Sequence, residues 1–77
     1  MTASLEVNLG GNLAFVSVIV PMFNEEHRVP AILNALWEQS YPRSLFEILA
    51  IDNGSTDQTY KICKKFTYPN LKVLREL

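Results

Sequence analysis

The sequence is poor in staples. One cysteine, Cys63, cannot form an internal disulfide, and with a single histidine, His27, it makes no metal-ligand set. Charge is nearly balanced at −1, so nothing calls for a nucleic-acid partner or an anionic membrane surface. The longest mostly apolar run, Leu13 to Phe23, is about half of the roughly 20 residues a membrane-spanning helix needs. No basic region followed by an apolar stretch and a small-residue cleavage site opens the chain, so no signal peptide is expected. A cytoplasmic location is the expectation, with membrane association of a longer protein left open. Glycine is scarce, and neither Gly-x-Gly-x-x-Gly nor a P-loop is present. That argues against dinucleotide and P-loop use.

What is present suits one small globular domain. The apolar content of 48 % is ordinary for a folded chain and argues against global disorder. Residues 1–13 read as a flexible leader, polar and carrying Gly10-Gly11. Leu5, Val7 and Leu9 alternate, so a short edge strand is the competing reading. Ala14 to Val20 is short, β-branched and apolar on both faces, the pattern of a strand in a parallel sheet. Pro21 is expected to end it, having no N–H for the ladder.

Val29, Ile32, Leu33, Leu36 and Trp37 recur at helical spacing and form one apolar stripe. Pro30 fits the first turn, and Ser40-Tyr41-Pro42 closes the helix. Phe46 to Ile51 is a second apolar strand. Ser55 with Gln58 has the spacing of a capping box, predicting a helix from Ser55 to about Phe66. Leu71 to Leu74 is a third strand. The order is β-α-β-α-β, an α/β chain forming part of a doubly wound parallel sheet with right-handed crossovers. Three strands and two helices are half of such a domain and would leave a bare edge or face. The expectation is therefore the opening part of a longer protein, able to self-associate through an exposed sheet edge.

Chemistry is expected where two strands end at the same sheet edge. One corner is Pro21-Met22-Phe23-Asn24-Glu25, the other Asp52-Asn53-Gly54-Ser55-Thr56-Asp57. Asp52 can accept from a base N–H or ribose hydroxyl, and Asn53 both donates and accepts. Phe23 offers a flat apolar face, Glu25 a carboxylate, and Gly54 a left-handed turn. Asp or Asn before Gly is also ordinary turn chemistry, so a purely structural reading stays open.

Val16-Ser17-Val18-Ile19-Val20-Pro21-Met22-Phe23-Asn24-Glu25-Glu26, followed beyond one helix by Asp52-Asn53-Gly54-Ser55-Thr56-Asp57, resembles the start of a family 2 glycosyltransferase with the GT-A fold. Leu36-Trp37-Glu38-Gln39-Ser40-Tyr41-Pro42 fits that family's first helix and turn. The resemblance runs from about Val16 to Arg75 and implies that 14–77 is the incomplete N-terminal part of a nucleotide-sugar-binding domain, a Rossmann-like half of a GT-A domain. It implies a nucleotide diphosphate sugar donor, UDP-, GDP- or dTDP-linked, an acceptor of unknown kind, and a divalent Mg or Mn. On this resemblance Pro21 and Phe23 line the nucleoside pocket, Glu25 reaches base or ribose, and Asp52 and Asn53 contact the base, with Arg75 near the nucleotide. The metal ligands and catalytic residues would lie outside this segment. Phe23 stands where the family often has Tyr, so a hydroxyl contact is absent while the ring face remains; Asn53 stands where it often has a second Asp, which removes a charge and bears on which base is read. The rival expectation is a non-catalytic nucleotide-binding or protein-interaction remnant of that fold.

The remaining polar and sulfur residues read as structural. His27 suits a solvated helix start, and Cys63 a small core residue. Lys61, Lys64 and Lys65 suit a solvated face, Trp37 core packing, and Asp57 the first turn of its helix.

Overall fold

The computed structural model describes residues 4–8 and 14–76. Among these, β1 (Ser4–Asn8), β2 (Phe15–Met22), β3 (Phe46–Asn53) and β4 (Leu71–Glu76) form one sheet in chain order. Helix α1 (Val29–Trp37) joins β2 to β3, and α2 (Thr59–Lys64) joins β3 to β4. β2, β3 and β4 are parallel, with Val18 opposite Ile48 and Ile48 opposite Leu71. The expected β-α-β-α-β unit is thus present.

The reading of 1–13 as a flexible leader is corrected over Ser4–Asn8, which pairs antiparallel with β2 from Ser4↔Ile19 to Asn8↔Phe15. Without it the ladder groups along that edge of β2 would be unpaired, and the alternating segment just upstream is the nearest strand to supply partners. Leu9 and the rest of the segment lie outside the described residues.

Pro21 does not end β2. It pairs with Ile51, and the strand continues to Met22 opposite Asp52. The register of β1 stops at Ile19, so beyond it one side of β2 has no neighbour among the described residues. A proline there breaks no ladder bond.

Alternation along the strands decides which face is covered. Val18, Val20 and Met22 of β2 and Phe46, Ile48 and Ala50 of β3 are buried, together with Val29 and Leu33 of α1 and Cys63 of α2. The intervening Ser17, Ile19, Glu47, Leu49 and Ile51 are only half-buried. Both helices lie on one face, where α1 and α2 touch, as the right-handed crossover rule requires for successive neighbouring strands. On β4 the pattern fades, and Leu74 is 49 % exposed at the outer strand.

Helix α1 follows its predicted stripe: Val29 and Leu33 are fully buried, while Ile32 and Leu36 pack beside them. It begins without a side-chain cap, with Pro30 in its first turn. The N–H groups of Arg28 and Val29 instead donate to the Glu25 carbonyl, at 2.8 and 3.1 Å. The chain then turns through Tyr41, whose hydroxyl donates to the Ala14 carbonyl, and a 3-10 turn at Arg43–Leu45.

The second helix departs from its expected bounds. It starts at Thr59 rather than Ser55 and ends at Lys64 rather than near Phe66. The capping box does not form, because the Ser55 hydroxyl is taken by the Asn24 N–H at 2.9 Å. Asp57 consequently precedes the helix, and its Oδ1 accepts from the Thr59 N–H at 2.9 Å. Lys61, Lys64 and Lys65 are exposed. Cys63 is buried against the Met22 thioether at 3.3 Å, and burial pushes its thiol up to about 11. At neutral pH it is an inert core residue.

Candidate functional site

Parallel pairing of Met22 with Asp52 brings the ends of β2 and β3 side by side. Past these ends the two loops are tied together. Asn24, which stands in the left-handed region at φ 50°, is at the centre of the contact. Its N–H donates to Ser55 Oγ at 2.9 Å. Its Oδ1 accepts from the Thr56 N–H at 2.9 Å and from the Asp57 N–H at 3.4 Å. The Glu25 N–H donates to Thr59 Oγ1 at 2.8 Å, and that hydroxyl donates in turn to Asp57 Oδ1. The Glu26 N–H reaches Asp57 Oδ2 at 3.3 Å, and Glu26 Oε2 accepts from the Gln58 N–H at 3.1 Å.

The five residues expected to form a site are divided between the two sides of this seam. Pro21 and Asn53 alternate with Met22 and Asp52, so they lie toward the sheet face without helices; Pro21 is half-buried and Asn53 exposed. Phe23 follows directly after β2, 57 % exposed for all its apolar ring. On the helix side, Asp52 is 1 % exposed. Its Oδ1 accepts from the Ser55 N–H at 3.4 Å, and its Oδ2 lies 3.4 Å from Arg75 Nε without a hydrogen bond. The Arg75 guanidinium rests over the Tyr60 ring at 4.8 Å. Glu25 is largely enclosed, with Oε2 3.8 Å from Arg28 Nε. Gly54 carries the turn out of β3 at φ 76°.

Sequence reasoning missed the seam itself. Ser55 and Asp57 were assigned to a helix start, and Asn24 to no role. The available signal was an asparagine in a short polar elbow, the non-glycine residue most tolerant of left-handed backbone, facing a Ser-Thr-Asp run rich in loop donors and acceptors. His27 is exposed, its Nε2 3.6 Å from Glu26 Oε1. Trp37 was expected in the core; its ring is stacked on Tyr68 at 4.4 Å and carries the Arg43 guanidinium at 4.4 Å.

Asp57 has the clearest electrostatic signature of this seam. Desolvation pushes its carboxyl up, but hydrogen bonds from the Thr59 hydroxyl and from the N–H groups of Thr59 and Glu26 outweigh it and hold the pKa below 3.8. A depressed folded-state pKa stabilises the fold fully above the unfolded value and is lost as pH falls through the folded one. Urea unfolding midpoints of wild type and Asp57→Ala should therefore draw together as pH falls through and below the ordinary carboxylate range. A gap between them that stays constant over that range would disprove the linkage.

Three parallel strands with intervening helices, and polar residues gathered at their carboxyl ends, define the Rossmann-like half of a GT-A fold. The family model described as glycosyl transferase family 2 matches residues 17–76, and the chain belongs to this family. It is 47 % identical over 66 residues to the glycosyltransferase AglE of Haloferax volcanii, covering 83 % of this chain and 22 % of that protein. It is 45 % identical over 58 residues to the poly(ribitol-phosphate) beta-N-acetylglucosaminyltransferase TarS of Staphylococcus aureus, covering 74 % of this chain and 10 % of TarS. The crystal structure of S. aureus TarS 1-349 superposes with a TM-score of 0.69 at 43 % identity, over 78 % of this chain and 18 % of that one. The chain thus spans about a fifth or less of the proteins it matches here.

Family 2 transferases generally use a divalent metal. Among the described residues no three His, Cys, Asp or Glu side chains come together to hold one. Asp52 faces Arg75, and Asp57 is engaged by N–H groups, so the residues present do not fit such an ion. Among the described residues no helix is long and apolar enough to cross a membrane.

Proposed function

We propose that this chain is the nucleoside-binding opening portion of a glycosyltransferase that moves a sugar from a nucleotide diphosphate donor to an acceptor. The observation that carries the reading is Asp52: a carboxylate buried at a strand end, with one oxygen lacking a hydrogen bond, paired in register with Met22, the residue before the exposed Phe23. Such an oxygen is matched by the N–H of a base or the hydroxyl of a ribose. In this reading Phe23 and Pro21 flank the nucleoside, Asn53 meets the base edge, and Glu25 takes base or ribose. Arg75 turns from Asp52 toward the nucleotide. The donor carries UDP, GDP or dTDP. The divalent ion, its ligands and the groups that activate the acceptor belong to further sequence. A cytoplasmic location goes with the same reading, with membrane association supplied by other parts of a longer protein.

The test is an amide NMR titration of the chain with UDP, GDP and dTDP in magnesium buffer. Shifts centred on 21–25 and 52–54 are expected, strongest for the preferred base. A dispersed spectrum that none of the three nucleotides moves would overturn the reading. A second reading, an interaction remnant that pairs with its own copy along β4, is favoured by the exposed Leu74 on the outer strand. A dimer in sedimentation together with a silent titration would select it.

A further inference from the structure

We propose that Asn24 is a positioning residue: it locks the loop after β2 to the loop after β3, so that Phe23, Glu25 and Asp52 meet a ligand already arranged. The inference rests on the nucleotide-binding reading above and adds to it a residue that itself contacts no ligand. Asn24 is solvent-exposed, so no core packing explains its place. It accepts a left-handed φ of 50°, a conformation most side chains avoid. In return one residue closes three backbone contacts to the facing loop. Its N–H is bound by Ser55 Oγ, and its Oδ1 binds the N–H groups of Thr56 and Asp57.

These contacts bracket the proposed ligand groups. Phe23 and Glu25 are its chain neighbours, and Ser55, which binds its N–H, also donates its own N–H to Asp52 Oδ1. Rotation of the Asn24 side chain away from Thr56 would release two of the N–H groups held across the seam, those of Thr56 and Asp57. An ordered arrangement before binding spares a ligand the cost of ordering these side chains.

Two variants separate this role from a purely structural one. Asn24→Gly keeps the left-handed backbone without strain and deletes the Oδ1 acceptor. Asn24→Asp keeps an acceptor for the same two N–H groups. Amide hydrogen exchange and titration with UDP, GDP and dTDP are read together. Asn24→Gly should lose about tenfold protection at the Thr56 and Asp57 amides, with β3 amides unchanged. Its affinity for the nucleotide bound by wild type should fall by about tenfold. Asn24→Asp should restore the protection. Wild-type protection at Thr56 and Asp57 in Asn24→Gly, or unaltered affinity, would overturn the proposal. So would loss of that protection in Asn24→Asp, which keeps the test alive if the glycine variant does not fold. Should wild type bind none of the three nucleotides, the transferase reading falls by itself, while exchange at Thr56 and Asp57 still upholds or overturns the lock.

Discussion

Asp52→Ala is expected to weaken nucleoside binding roughly 10- to 150-fold, the equivalent of losing one charge-assisted hydrogen bond of about 1.5–3 kcal/mol. Stability should change little. Breaking a buried ion pair is ordinarily costly because it strands a buried charge. Here the partner left behind is Arg75, whose side chain is 42 % exposed and can return to water. The Ser55 N–H loses only a long contact of 3.4 Å. The carboxylate was buried with one oxygen lacking a hydrogen bond, a state that itself opposes folding. Calorimetric titration alongside a thermal melt separates the outcomes. Lost affinity with an intact melt assigns Asp52 to the ligand. A collapsed melt would make it a structural residue, and unchanged affinity would sink its role in binding.

Leu33→Ala is the substitution with the largest expected cost to the fold. Leu33 is fully buried between sheet and helices, and truncation of such a leucine costs about 2–5 kcal/mol. A chain of 77 residues has roughly 4–12 kcal/mol in total, so the variant stands near its unfolding threshold. Leu36, one turn on, is only half-buried and leaves less of a cavity when truncated. Urea denaturation should rank Leu33→Ala well below Leu36→Ala. Equal losses would mean that the inner line of α1 is misassigned.

That ranking shows how far the sequence could be read. The apolar stripe from Val29 to Trp37 located α1, because period and length agree on one answer. It did not say which line of the stripe faces the sheet, since that depends on where α1 lies across β2 and β3. The strands were legible from their β-branched runs, but their ends were not. Pro21 stayed in the ladder because, among the described residues, nothing pairs with its other side, a tertiary circumstance with no local trace. The start of α2 was misplaced for a related reason. Ser55 and Gln58 had the spacing to cap a helix, yet the Ser55 hydroxyl found a donor, the Asn24 N–H, 31 residues away. Within the proposed site, Asp52 and Glu25 stood out as candidate ligand groups. The placing of Asn53 and Pro21 on the other face of the sheet was not legible, because it follows from alternation along strands that run on past Val20 and Ile51.

The stack at the far end of α1 makes the molecule its own optical probe. Trp37 is the sole tryptophan, and its ring is packed on Tyr68 and under Arg43. Those three residues come from the end of α1, the turn before β3 and the approach to β4. The Tyr68 hydroxyl adds a hydrogen bond to Asn34 Oδ1 of α1. A single fluorophore therefore senses the closing of both parallel crossovers. Its emission follows the assembly of the sheet at the end remote from the strand-end loops, where a nucleotide can be added without touching the reporter.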